Sequence, residues 1–173
     1  GKTHVVNAYI QYLRDLGIKP AITASTGIAA THIGGMTIHA WSGIGIKEQL
    51  TKQDLARIIT NKRITSRIKR ARVLIIEEVS MLSPPTVEMI DLVCRKVREN
   101  EKSFGGMQVV FVGDFFQLPP VVKMEAGKQN KLTEKIEGRL AYDSTSWSEA
   151  EPLECYLSHL VGVAHSNNTQ GAL

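Results

Sequence analysis

Val73-Leu74-Ile75-Ile76 and Val109-Val110-Phe111-Val112 are runs without a polar residue, and each ends in acid: Glu77-Glu78 after the first, Gly113-Asp114 after the second. A strand with one wet face alternates apolar and polar residues, so runs this continuous read as strands buried on both faces. Between them Pro84-Pro85 opens a stretch in which Val87, Ile90, Val93, Cys94 and Val97 recur at spacings of three and four, the signature of a helix. Proline suits the first turn, where its missing N–H would be unpaired anyway. Strand, helix, strand in this order predicts an α/β fold: a parallel sheet with helices on both faces, right-handed crossovers, and ligands gathered at the carboxyl ends of the strands.

The alternation extends along the chain. Val5, Tyr9, Tyr12, Leu13 and Leu16 predict an opening helix with that stripe buried, stopped by Gly17 and Pro20. Residues 21–24 predict a short strand running into Ser25-Thr26-Gly27, after which Ile28, Ala29, Ala30 and Ile33 open a second helix. Residues 34–41 read as a loop leading to an ordered stretch, with Trp41 in the core. Segments 50–60 and 62–71 are helical, with Leu55, Ile58 and Ile59, then Ile64 and Ile68, as buried stripes. The densest basic stretch, Lys62, Arg63, Arg67, Lys69, Arg70 and Arg72, lies on the second of these and reads as a solvated face; Lys123, Lys128, Lys131 and Lys135 read as loop cations.

Composition excludes several classes. No apolar run approaches bilayer length, and the N-terminus has neither the basic start nor the apolar stretch of a signal peptide, so no membrane and an intracellular location are expected. Cys94 and Cys155 and the five histidines lack metal-ligand spacing, which argues for reduced thiols and against a disulfide or zinc framework. A net charge of +4 permits an anionic partner without demonstrating one.

Gly1-Lys2-Thr3 supplies the chemistry. The triplet matches the end of a phosphate-binding loop, followed at once by a helix whose unpaired N–H groups and dipole favour phosphate. Lys2 would meet the β/γ-phosphates of a nucleoside triphosphate, Thr3 would hold Mg²⁺, and Glu77 with Glu78 at a strand end would complete the metal shell and handle the attacking water. The fold expected is then that of a P-loop NTPase, with ATP and Mg²⁺ as cofactors.

Gly113-Asp114-Phe115-Phe116-Gln117-Leu118-Pro119-Pro120-Val121, residues 23–30 (Thr-Ala-Ser-Thr-Gly-Ile-Ala-Ala) and Gly35-Met36-Thr37-Ile38-His39 together resemble the first, RecA-like motor domain of Pif1-type superfamily 1 DNA helicases. The resemblance spans residues 1–159. It implies ATP hydrolysis coupled to translocation on single-stranded DNA and duplex unwinding. Genome maintenance follows by the same likeness, including repair, recombination and telomere maintenance, in a bacterial cytoplasm or nucleoid, or in a eukaryotic nucleus or mitochondrion. No protein partner is readable.

By position, the resemblance makes Gly1, Lys2, Thr3 and Gln117 nucleotide-binding, Thr3 and Glu77 metal-binding, and Glu78 the base that orients water. Gln117 reports on the γ-phosphate, a task suited to an amide that donates and accepts at once. Glu77 departs from the family's aspartate; its extra methylene is expected to weaken Mg²⁺ binding, because that ion demands near-ideal geometry. Asp114 reads equally as support for its turn or as part of the metal shell, and Pro119-Pro120 as a stiff exit. Ser25, Thr26, Gly27, Thr37 and His39 are implied contacts to the single-stranded DNA backbone, with a buried, hydrogen-bonded core position as the other reading of His39.

The likeness fades after His159, where a family arginine is expected and residues 160–173 instead have turn composition, an irregular tail. Without the loop glycines, the second motor domain and its arginines, residues 1–173 are expected to unwind nothing alone. A non-catalytic nucleotide- or DNA-binding module, or a RecD-like or conjugative helicase, are the alternatives.

Overall fold

The computed structural model describes residues 2–116, 140–157 and 159–164. Helix α1 (Lys2–Asp15) leads into β1 (Ala21–Ala24), α2 (Gly27–His32), β2 (Met36–Thr37) and α3 (Ile38–Ser42). Helices α4 (Lys52–Thr60) and α5 (Lys62–Arg70) precede β3 (Val73–Glu77), α6 (Pro84–Arg98) and β4 (Gln108–Val112). Helix α7 (Thr145–Glu149) and strands β5 (Pro152–Leu157) and β6 (His159–Ala164) close the described chain.

The sheet has order β2-β1-β3-β4-β6-β5. Strands β2, β1, β3 and β4 are mutually parallel, as the apolar runs predict. Both faces are covered, and the side chains alternate between them. Leu74, Ile76, Val109 and Phe111 join the larger cluster, which contains Trp41, Ile58, Ile68 and the inner face of α6. Val73, Ile75, Val110 and Val112 meet Val6, Ile10 and Leu13 of α1 on the other side.

Three expectations need correcting. The buried stripe of α1 is Val6, Ile10 and Leu13, whereas Val5, Tyr12 and Leu16 are exposed and Tyr9 is half-buried, stacked on Tyr12. Both sets have helical spacing, and the sheet beneath selects one. Ile59 is likewise exposed; Leu55, Ile58, Ile64 and Ile68 carry the contact. Residues 160–164 belong to β6, antiparallel to β4 and to β5, so this part of the expected irregular tail is a strand: its backbone groups pair with the β4 edge, a partner that local composition does not reveal.

Two charged side chains tie the interior together. Asp91 of α6 accepts from Arg95, from the Phe104 amide and from the Ser146 hydroxyl, and Arg98 donates to the carbonyls of Ile68, Ala71 and Gly105, binding the ends of α5 and α6 to the loop before β4. Cys94 is a buried free thiol whose pKa burial pushes far up, which leaves it inert.

Candidate nucleotide and nucleic-acid site

The parallel strands bring their carboxyl ends to one edge, and the loops there hold Ser25 after β1, Thr37 at the end of β2, Glu77 and Glu78 at the end of β3, and Asp114 after β4. The start of α1 comes to the same edge. Burial, and then the neighbouring Glu78 carboxylate, hold the Glu77 carboxyl above the usual range, while the Lys2 ammonium pulls in the opposite direction. Helix α1 packs on the sheet and ends beside the starts of the strands, so its first turn lies toward their carboxyl ends, and from there the Lys2 ammonium, distant in sequence, acts on Glu77. Thr3 is exposed in the same first helical turn.

The end of β3 is unusual in two respects. Glu78 has φ 56° and ψ 40°, in the left-handed region, and starts the 3₁₀ turn Val79–Met81. Such a conformation costs a non-glycine residue about 1 kcal/mol or more, and it turns the Glu78 side chain out of the strand's alternation. Secondly, Glu77 Oε1, Ser25 Oγ and Ser80 Oγ are all buried without a hydrogen-bond partner. Gly113 lets β4 approach this turn: a Cβ there would lie 2.9 Å from Val79 Cγ1 and 3.1 Å from the Ser80 amide nitrogen.

The residues present fit Mg²⁺. A buried carboxylate oxygen with no donor to satisfy it, together with the exposed Thr3 hydroxyl in the first turn of α1, offers oxygen-only donors of the kind that ion takes, with phosphate and water supplying the remainder. No group of three or more His, Cys, Asp or Glu side chains suited to holding a metal occurs among the described residues.

On the β1–β2 side, the Ser25 amide donates to the Glu77 carbonyl at 3.0 Å. Thr26 caps α2 by accepting from the Ala29 amide, and Thr37 caps α3 by accepting from the Ala40 amide, each at 3.2 Å. Both hydroxyls keep their own proton to give. Gly27 opens α2 with open space where a Cβ would be, and beside it Ile28 is 77% exposed. The His39 ring is half-buried, and desolvation lowers its pKa; among the described residues it lacks the hydrogen bond that a core histidine would carry.

Residues 1–165 match the family described as PIF1-like helicase. The chain belongs to this family. It is 47% identical over 158 residues to the ATP-dependent DNA helicase Pif1 of Psychrobacter sp., covering 91% of this chain and 23% of that protein. It is 39% identical over 150 residues to the ATP-dependent DNA helicase PIF1 of Candida albicans, covering 86% of this chain and 16% of that protein. The chain thus spans less than a quarter of the length of these relatives. Among solved structures, the Pif1 helicase of Candida albicans superposes with a TM-score of 0.73 at 37% identity, covering 86% of this chain and 32% of that one. Bacteroides Pif1 bound to ssDNA gives a TM-score of 0.62 at 37% identity, covering 71% and 28% of the two chains. Bacteroides Pif1 in complex with ADP-AlF4 gives 0.60 at 31% identity, covering 84% and 32%.

Within this PIF1-like chain, the Lys2 ammonium acts on the Glu77 carboxylate beside Glu78, Thr3 follows Lys2 in the first turn of α1, and Ser25, Thr26, Gly27, Thr37 and His39 lie along the adjoining stretch of the edge. Asp114 is buried and accepts from the Phe116 amide at 3.1 Å, bracing the turn that leads to Gln117; Phe115 packs edge-on against Tyr142 and Trp147. Gly1, Gln117 and Pro119-Pro120 lie outside the described residues. Ser80, whose buried hydroxyl has no partner, is a residue of this turn that the sequence motifs do not mark. The only local signal was its place two residues past Glu78.

Proposed function

We propose that the chain is the nucleotide-binding part of the first motor domain of an ATP-dependent DNA helicase, holding MgATP at the carboxyl edge of the sheet and single-stranded DNA beside it. The observation that supports the reading is the pull of the Lys2 ammonium on the Glu77 carboxylate beside Glu78, with the first turn of α1 set toward the carboxyl edge, where one polyphosphate would span ammonium, metal and base. Lys2 would take the β/γ-phosphates, and Thr3 and Glu77 the Mg²⁺. Glu78, turned out by its left-handed backbone, would orient water, and Gln117 would contact the γ-phosphate. When bound, the ion neutralises charge on the transferring phosphoryl group.

Ser25, Thr26, Gly27, Thr37 and His39 would contact the DNA backbone, indifferent to base identity as a translocating motor requires. The named DNA helicases among the relatives, and the Bacteroides structures with ssDNA and with ADP-AlF4, support the ligand classes. By the same likeness the protein acts inside the cell in genome maintenance, and residues 1–159 form the domain unit. The opposing half of the catalytic cleft would come from a second motor domain.

The test is Mg²⁺-dependent ATP turnover and forked-duplex unwinding by the full-length protein. Turnover should be stimulated by single-stranded DNA and abolished by Lys2→Ala. Retained stimulated turnover in that variant would overturn the reading.

A further inference from the structure

At the opposite edge of the sheet, where the strands begin, lies a basin of about 770 Å³. Arg14 and Lys19 reach it from the end of α1 and its loop, Arg67 and Arg70 from α5, and Arg72 from the lead into β3, over a floor that includes the buried Trp41. The basic stretch from Lys62 to Arg72 is an exposed, solvated face as its periodicity predicts, apart from half-buried Arg67, and the fold sets Arg67, Arg70 and Arg72 beside the end of α1, so that cations from two separate segments converge.

No carboxylate lines the basin, and none of these five cations forms an ion pair among the described residues. Arg70 donates to Ser66 one turn back, to its carbonyl and its hydroxyl, and keeps donors to spare. Arg67 donates to the Ala40 carbonyl and approaches Met36 Sδ, which leaves its Nε buried and unpaired; desolvation lowers its pKa. The C-termini of α1 and α5 point this way, and each offsets roughly half a charge. Five cations against about one unit of negative dipole leave a net charge of roughly +4.

We propose that this basin is a second nucleic-acid site that grips the phosphodiester backbone, separate from the contacts at the carboxyl edge. Arginine predominates, and its planar fork matches phosphate oxygens in pairs. A phosphate chain carries a charge at every unit, which suits closely set cations without carboxylates between them better than an acidic peptide does, its charges being interrupted by neutral side chains. The choice of nucleic acid as the polyanion rests on the helicase reading; the convergence of cations does not.

The test is fluorescence anisotropy on the full-length protein without ATP, using a labelled oligothymidylate and a labelled duplex, between about 50 and 200 mM salt. The triple variant Arg14→Gln/Arg70→Gln/Arg72→Gln, with Arg67 retained for its backbone contact, should flatten the log–log salt slope for the strand by about 2, at roughly 0.7 per phosphate contact. A comparable loss for the duplex alone would assign the site to double-stranded DNA. Lys52→Gln/Lys62→Gln/Arg63→Gln, an equal charge change on exposed positions away from the basin, should leave both slopes unchanged, and thermal melts should match wild type in both variants.

Equal losses in the two triple variants would reduce the effect to net charge and overturn the proposal, as would no loss in either. Binding of polyglutamate that the basin variant abolishes while DNA binding persists would assign an acidic peptide instead. Thr37→Ala/His39→Ala probes the carboxyl edge in the same assay. Failure there with the basin effect intact would count against the helicase contacts and not against the basin.

Discussion

The Ser25 amide nitrogen lies 3.0 Å from the Glu77 carbonyl oxygen and donates to it, one step beyond the last β1–β3 register pair, Ala24 with Glu77. This bond joins the first residue of the proposed DNA-facing segment to the residue whose carboxylate would hold the metal. Each residue also carries a buried oxygen without a partner, Ser25 Oγ and Glu77 Oε1. A nucleotide-dependent shift of Glu77 would reach Ser25 through one hydrogen bond, which gives the two sites a short physical connection.

Glu77→Gln should separate metal binding from folding. Replacing a buried carboxylate that faces the like charge of Glu78 with a neutral amide is expected to raise the melting temperature of the metal-free protein. Mg²⁺-dependent nucleotide affinity should fall at least about tenfold, since one hard oxygen ligand loses its charge. Glu77→Asp should restore affinity. Calorimetric titration with and without Mg²⁺ reads both effects.

For Glu78, activity and stability should move in opposite directions. Glu78→Gln is expected to lower ATP turnover by about 10²-fold or more with nucleotide affinity retained, as for a lost general base. Glu78→Gly should be equally inactive yet more stable by about 1 kcal/mol, because glycine accepts φ 56° without strain. Denaturant melts alongside steady-state kinetics decide it; a destabilised Glu78→Gly would mean that the side chain, not the backbone, dominates.

Two glycines are required for space. A Cβ at Gly35 would sit 2.4 Å from the Ile22 carbonyl oxygen, where neither backbone can yield easily. Gly35→Ala is therefore expected to lose about 2 kcal/mol or more and to disturb the β1–β2 pairing. Gly113→Ala meets the movable Val79 methyl first, so it should cost less stability but displace the Glu78 turn and reduce turnover. Circular dichroism melts and ATPase rates should rank the two variants in opposite order.

Thr37 has a capping role that must be separated from any role in DNA binding. Thr37→Ala should cost about 1 kcal/mol through loss of the bond from the Ala40 amide, and Thr37→Ser should recover it. If DNA affinity follows stability across this series, Thr37 only shapes the loop. If alanine weakens binding beyond what its melt explains, the hydroxyl touches the strand.

His39 predicts a pH dependence. Desolvation holds its folded-state pKa below the ordinary histidine value, so the unfolded chain takes up a proton first as pH falls. The stability it contributes is complete above about pH 6.5 and is lost on acidification toward the lower folded-state value. His39→Asn should flatten that part of the stability–pH curve, measured by urea midpoints; an unchanged slope would assign the acid sensitivity to other groups.

The parallel strands and the acidic strand ends are legible in the sequence because a strand buried on both faces admits no polar residue, and β3 and β4 show this over nearly their whole length. The covering of both faces follows from the same runs, the start of α6 at Pro84 from proline's fit to a first helical turn, and Trp41 in the core from its being an aromatic without a basic neighbour. The buried stripe of α1 does not: Val6-Ile10-Leu13 and Val5-Tyr9-Tyr12-Leu16 are both helical in spacing, and only contact with Val73, Ile75, Val110 and Val112 selects between them.

The site divides along the same line. Which side chains carry phosphate chemistry was written locally, in Lys2-Thr3 and Glu77-Glu78, because motif residues are neighbours in the chain. Their meeting, the left-handed turn at Glu78, the Ser25–Glu77 bond, the pairing of β6 with β4 and the convergence of Arg14 with Arg70 were decided by tertiary structure alone. Each depends on where one segment comes to rest against another distant in sequence, and no local pattern of hydrophobicity encodes that distance.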